Sequence, residues 1–189
     1  ASDVYKRQAP GSTEKVISLV RNKITMETLA AKQTVRTVQR DGQDLKIGII
    51  TVPSFYQDTD AEQAGDPNYR SLTRDVRNAI NELKKEQVQA IVMDLRANGG
   101  GNLQEAIGLT GLFINTGPVV QVRQTGGHIE ALDDTDKGIA WDGPLTVLID
   151  RYSASASEIF AGAIQDYGRG LIIGQQSFGK GTVQTVNPL

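Results

Sequence analysis

Two short stretches of the chain hold the residue types that hydrolytic chemistry needs. The run S-A-S-A-S-E at 153–158 alternates serines with alanines. The run F-G-K-G-T-V-Q at 178–184 sets Lys180 between two glycines, 25 residues beyond Ser155, with Gln184 four residues further on. A serine hydroxyl is a poor nucleophile at neutral pH and needs a base beside it. The chain has a single histidine, His128, in a polar stretch, so a Ser-His-Asp triad has almost nothing to draw on. A lysine can replace the histidine if it is uncharged. With an unperturbed pKa near 10.4, only about one lysine in 2,500 is neutral at pH 7. A catalytic lysine must therefore be pushed toward its neutral form by burial, at about 1.36 kcal/mol per pKa unit. Phe178 and Val183 flank Lys180, the two glycines let backbone pack close, and no Asp or Glu lies within ten residues on either side. Lys180 is accordingly expected to be buried and dry.

Ser155 falls where a strand gives way to a helix, expected over residues 158–167. A helix N-terminus offers unpaired N–H groups and the positive end of its dipole. The Ala156 N–H can thus face an oxyanion formed beside Ser155, and the glycine run around Gly101 is the source of a second donor. Other readings of the same residues stay open. Ser155-x-x-Glu158 fits the S-x-x-E helix-capping box, and Gly179-Lys180-Gly181 fits a solvated turn. The glycine run resembles an anion-binding nest, although the G-x-x-x-x-G-K-[ST] pattern of a nucleotide P-loop is absent.

The elements that must position these residues read as an α/β chain. Residues 45–52 form a clear strand halted by Pro53, followed by a polar loop over 57–65. Asp66-Pro67 reads as the N-cap and first-turn proline of a helix. Leu72, Val76, Ile80 and Leu83 make its apolar stripe, and it ends near Lys84-Lys85. A strand over 88–95 completes a strand-helix-strand unit, which calls for a right-handed crossover. The glycine run then opens a helix with Leu103, Ile107 and Leu112 inward. A strand over 119–122, a polar loop over 124–143 and a buried strand over 145–149 deliver the chain to the serine cluster. A short apolar strand follows its helix. Upstream lie a β-prone run at 15–20, weak alternation at 34–38 and an Asp41-Gly42 turn signal.

The chain of 189 residues is 39% hydrophobic with a net charge of −2, enough for one sizeable core. No basic cluster offers a nucleic-acid footprint, and no apolar run reaches the 18 or so residues of a membrane span. There is no cysteine, which excludes disulfides and thiolate metal sites.

With these residues assembled, the chain resembles the tail-specific, or C-terminal processing, serine proteases of the Ser-Lys type. The motifs carrying the resemblance are G-I-I-T-V-P-S-F-Y at 48–56, D-L-R-A-N-G-G-G at 94–101, G-L-F-I at 111–114 and G-P-V-V-Q-V-R at 117–123. They are joined by S-A-S-A-S-E-I-F-A-G-A-I-Q-D-Y-G-R at 153–169 and F-G-K-G-T-V-Q at 178–184, and the likeness spans about residues 12–186. It implies an α/β, ClpP/crotonase-like protease core with the trailing strand of a PDZ domain at its N-terminus. Residues 1–11 are then a tail, 12–40 the C-terminal end of the PDZ domain and a linker, and 41–189 a protease core that is cut short. Ser155 is implied as the nucleophile, Lys180 as the base and Gln184 as the residue that orients it, with the backbones of Gly101 and Ala156 as the oxyanion hole. Asp166 matches an acidic position implicated in some members; its other reading is a structural helix-end aspartate. No metal and no cofactor are implied. The implied partners are protein or peptide substrates, held through apolar, unstructured C-terminal tails, and an adaptor protein or oligomer. The implied location is the bacterial periplasm. The alternative is a non-catalytic module that binds apolar ligands on the same scaffold, which would not need the full set Ser155, Lys180 and Gln184.

Overall fold

A computed structural model describes residues 30–183 of the chain. The expected strand at 15–20, the PDZ strand and Gln184 lie outside the described residues. Among the described residues seven strands and four helices follow in order: β1 (Lys32–Arg40), β2 (Gln43–Thr51), α1 (Thr59–Gln63), α2 (Leu72–Lys85), β3 (Ala90–Asp94), α3 (Leu103–Gly111), β4 (Gly117–Arg123), β5 (Ile129–Asp134), β6 (Leu145–Ile149), α4 (Ala156–Asp166) and β7 (Leu171–Gly174).

The main sheet has the order β1-β2-β3-β6-β7, with β1 and β2 antiparallel and the remaining neighbours parallel. Asp41 and Gly42 join β1 to β2 with φ of 53° and 76°, the two positive angles that a tight hairpin turn requires. From β2 to β7 the order advances in one direction. Right-handed crossovers therefore set α2, α3 and α4 side by side on one face, with α2 against α3 and α3 against α4. Ile50, Ile91, Met93, Leu145 and Val147 supply the sheet side of the core; Leu72, Val76, Ile80, Leu83, Leu109, Phe160 and Ile164 supply the helix side. Phe113 and Phe160 meet edge to face at 5.8 Å between the α3 and α4 layers. Fully burying a side chain of this size is worth about 1.5–3 kcal/mol, whereas a good cap is worth about 1. Phe160 and Ile164 therefore anchor α4, and its N-terminus is available for other work.

The structure corrects several expectations. Helix α2 starts at Leu72, capped by Ser71, and not at Asp66-Pro67. Asp66 instead closes a turn of its own, accepting the N–H of Asn68 on its side chain and that of Tyr69 on its carbonyl. The expected loop over 57–65 contains the short α1, capped by Asp58. The stretch over 124–143 contains β5, which pairs with β4 as a separate two-stranded ribbon. Four of the six β5 residues are exposed, so the strand has too little apolar alternation to read in sequence. Helix α4 begins at Ala156, two residues earlier than expected, because Ser155 already stands at the cap.

Candidate active site

The C-terminal ends of the parallel strands β3 and β6 open on the same edge of the sheet, where α/β folds usually bind ligands. Two loops meet there: residues 95–102 after β3, and residues 150–155 after β6. Their contacts run through Asn98, which is fully buried. Its side-chain amide donates to the Val52 carbonyl at 2.7 Å and accepts the Gly100 N–H at 2.9 Å. Its backbone carbonyl accepts the Ala154 N–H at 3.0 Å and the Ser157 hydroxyl at 2.9 Å. Ser153 makes a parallel tie, donating its hydroxyl to the Leu95 carbonyl at 2.8 Å and accepting the Asp150 N–H at 2.9 Å. The Asp150 carboxylate accepts the N–H groups of Ala97, Tyr152 and Ser153. The bond from Ala97 leads the effects that hold this carboxyl below the usual aspartate range. Asp94 is held low as well, first by the Arg96 guanidinium that grips it at 2.7–2.8 Å.

These ties separate the three serines. Ser153 and Ser157 are fully buried and spend their hydroxyls on the β3 loop. Ser155 lies between them with φ 58° and ψ −115°, a backbone conformation that costs of order 1–3 kcal/mol in a non-glycine residue. Such a strained strand-to-helix turn thrusts the side chain outward, as in the nucleophile elbow of α/β hydrolases. The Glu158 N–H goes to the Ser155 carbonyl at 2.9 Å, and the cap is carried by the Glu158 carboxylate, which accepts the Ser155 N–H at 2.8 Å.

The glycine loop closes against this turn. A Cβ at Gly100 would lie 2.8 Å from the Ser155 Cβ, and one at Gly101 would strike the Phe55 carbonyl. Phe55 pins the loop from the other side, donating its N–H to Gly100 at 3.0 Å and accepting that of Asn102 at 2.8 Å. Among the described residues neither the Gly101 nor the Ala156 N–H has a hydrogen-bond acceptor. Both residues line a cleft of about 370 Å³ that also contains Ser155 and Lys180. Leu103, Ile159 and Val183 give the cleft apolar walls.

Lys180 departs from its expected burial. Its residue is exposed, and among the described residues no hydrogen bond joins its amine to Ser155. Over residues 175–183 the chain has no helix or strand, and the apolar side chains there, Phe178 and Val183, are themselves 64% and 58% exposed, so they do not cover the amine. Among the described residues the segment is held at its start by the Gln175 N–H on the Ile149 carbonyl at 3.4 Å, then by the Phe178 N–H on the Ser153 carbonyl at 3.0 Å and by Glu158. The Glu158 carboxylate accepts the Ser177 hydroxyl at 2.7 Å and the N–H groups of Gly179 at 2.6 Å and Lys180 at 2.9 Å. Burial alone would raise this carboxyl, but the hydrogen bonds from Ser177, Gly179, Ser155 and Lys180 outweigh it and hold Glu158 below its ordinary value.

Asp166 ends α4, ten residues beyond its first, which is about 15 Å along the axis. It lines a different groove with Pro118, Val120 and Tyr167, away from the Ser155 cleft. Two residues outside the expected set prove structurally central: Asn98 and, beyond its capping role, Glu158. The S-x-x-E spacing was the visible signal for Glu158; its reach to a loop some twenty residues later was not.

Comparison with known proteins adds an independent line. The model of peptidase family S41 matches residues 46–189. A tail-specific protease of Haemophilus influenzae is 47% identical over 176 residues, covering 93% of this chain and 23% of that protein. A probable CtpA-like serine protease of Staphylococcus aureus is 33% identical over 177 residues, covering 93% of this chain and 31% of that protein. Among solved structures, the photosystem II D1 C-terminal processing protease superposes with a TM-score of 0.64 at 29% identity, over 82% of this chain and 38% of that one. The chain thus spans about a quarter to a third of the length of the curated relatives it matches.

Proposed function

Because the chain belongs to peptidase family S41, we infer that it is the catalytic part of a serine endopeptidase that cleaves proteins with apolar, unstructured C-terminal tails. Ser155 Oγ attacks the scissile carbonyl carbon and its proton passes to a neutral Lys180 Nζ. The tetrahedral oxyanion is received by the N–H groups of Ala156 and Gly101. Lys180 returns the proton to the departing amine as the C–N bond breaks, leaving an acyl-enzyme. Water, deprotonated by the same lysine, then releases the acid. Gln184 orients the lysine, whereas Asp166, the candidate supporting acid, lines a groove separate from this cleft.

The observation that carries this reading is the strained Ser155 turn, φ 58° and ψ −115°, at the head of α4 in a cleft shared with Lys180, Ala156 and Gly101. The exposed amine gives substrate binding a second task. A peptide laid across the cleft covers Lys180, strips its water and so favours the uncharged form that attack requires. The apolar cleft walls suit apolar side chains in that peptide. The mixed α/β architecture, shared with the D1 C-terminal processing protease, supports a ClpP/crotonase-like core. Capture of substrate C-termini by a PDZ domain, an adaptor or oligomer, and a periplasmic setting follow from the same family reading. No described helix is long and apolar enough to cross a membrane.

The test is turnover of an unstructured peptide with an apolar C-terminus. Ser155→Ala and Lys180→Ala each abolish cleavage with an unchanged unfolding transition, and Lys180→Arg is inactive because arginine cannot become a neutral base. Retained turnover in any of the three overturns the assignment.

A further inference from the structure

One carboxylate oxygen, Glu158 Oε2, accepts the N–H of Ser155 at 2.8 Å and the N–H of Lys180 at 2.9 Å. Laid end to end, those two bonds put the two backbone nitrogens at most 5.7 Å apart. The other oxygen, Oε1, takes the Ser177 hydroxyl at 2.7 Å and the Gly179 N–H at 2.6 Å. All four acceptor directions of an ionised carboxylate are thus used, and every donor belongs either to the serine turn or to the segment that carries the lysine. Charge-assisted bonds of this kind are about twice as strong as neutral ones. Among the described residues the segment 175–183 has one further backbone tie to the serine turn, from Phe178 to Ser153. It has no helix or strand of its own there.

We propose that Glu158 is the positioning residue that sets the Lys180 backbone against Ser155, acting as a latch between the nucleophile's turn and the base's loop. The proposal rests on the peptidase reading above. Glu158 touches no reacting atom in it. By fixing where the Lys180 main chain lies, the carboxylate decides whether a swing of the side chain alone can bring Nζ to Oγ. Ser177, three residues before the lysine, is the latch's second anchor.

Substitution by glutamine separates the latch from the helix cap. A glutamine at the third helical position still caps, and its oxygen in the Oε2 place keeps the N–H groups of Ser155 and Lys180. Its amide nitrogen in the Oε1 place is a donor facing two donors, Ser177 and Gly179, so two of the three bonds to the loop fail and the Lys180 main chain is held by a single one. A displacement of about 1 Å at a reacting group costs on the order of 100-fold in rate.

The test measures kcat and KM for the full chain, Glu158→Gln, Ser177→Ala and the double variant on an internally quenched, unstructured peptide with an apolar C-terminus, beside Ser155→Ala. The expected result is a kcat about 100-fold lower for E158Q and about tenfold or less lower for S177A. KM stays unchanged, and the double variant is no worse than E158Q alone because Ser177 has already lost its acceptor. A wild-type kcat in E158Q, or a loss confined to KM, overturns the latch. If E158Q does not fold, S177A decides: a kcat loss at unchanged KM and Tm supports the latch, and a wild-type kcat overturns it. Cleavage that persists in S155A overturns the peptidase reading and the latch with it. Cleavage that needs Ser155 but ignores E158Q overturns the latch alone.

Discussion

A Cβ added at Gly100 would stand 2.8 Å from the Cβ of Ser155 and 2.6 Å from the Ala154 carbonyl oxygen, on a backbone with φ of 97°. The glycine loop and the serine turn therefore touch with no space for a single extra carbon. That contact fixes how far the loop's N–H groups stand from anything bonded to Ser155.

Gly100→Ala is accordingly expected to act on both stability and turnover. The strained φ and the clash together cost on the order of 1–3 kcal/mol. Relief requires the two loops to part, which moves the proposed oxyanion donors and lowers kcat by up to about 100-fold. Urea unfolding combined with steady-state kinetics on the same variant checks both. A variant with full activity would mean that the loop is not part of the site.

Three carboxylates tie the site loops together, and all three are held below their ordinary values: Asp94 first by Arg96, Asp150 first by the Ala97 N–H, and Glu158 by hydrogen bonds that outweigh its burial. A carboxylate whose folded value is depressed stabilises the fold fully above its unfolded value, about 4, and loses that contribution as pH falls through the folded value. Stability from these groups is thus expected to be level from about pH 5 upward and to fall below about pH 4. Urea midpoints measured from pH 3 to 7 should show this slope, and it should be shallower in E158Q. An identical slope in that variant would show that its hydrogen bonds contribute nothing to the fold.

Asp134 has the opposite sign. It ends β5, is 6% exposed, lies against Gly111 of α3, and its Oδ2 has no hydrogen-bond partner among the described residues. Burial, ahead of the other effects, pushes its carboxyl up. The folded state is therefore penalised for holding the ionised form, and the penalty disappears as pH falls below the raised value and the group protonates. Asp134→Asn is expected to be more stable than wild type at pH 7, by an amount that shrinks to nothing toward pH 3. Thermal melts at the two pH values check it, and a loss of stability at pH 7 would show that the charge is needed where it lies.

The α/β layer was largely legible because its core strands and α2 announce themselves through dense apolar runs and a 3.6-residue stripe, as Leu72, Val76, Ile80 and Leu83 do. The β4–β5 ribbon was not, since most of β5 faces solvent and carries no alternation to read. In the site, the serine cluster and the lysine could be picked out by residue type. What singles out Ser155 from Ser153 and Ser157 is a backbone angle together with two hydroxyls committed to the β3 loop. Both depend on residues some 55–60 positions away. Asn98 was visible as one letter of a glycine-rich run, but its four bonds join three segments that only the fold brings together. The absence of acidic neighbours around Lys180 in sequence was equally local information, and Glu158 shows how little it constrained.

The segment that carries Lys180 lies outside the core and makes no strand or helix among the described residues, whereas Ser155, Ala156 and Gly101 belong to turns tied into the folded layer through Asn98, Ser153 and Phe55. Heritable change therefore meets unequal resistance in the two halves of the proposed machinery. On the proposed reading, loss of the Lys180 amine leaves the Ser155 bend in place, because the bonds that hold that turn to the β3 loop do not involve the lysine.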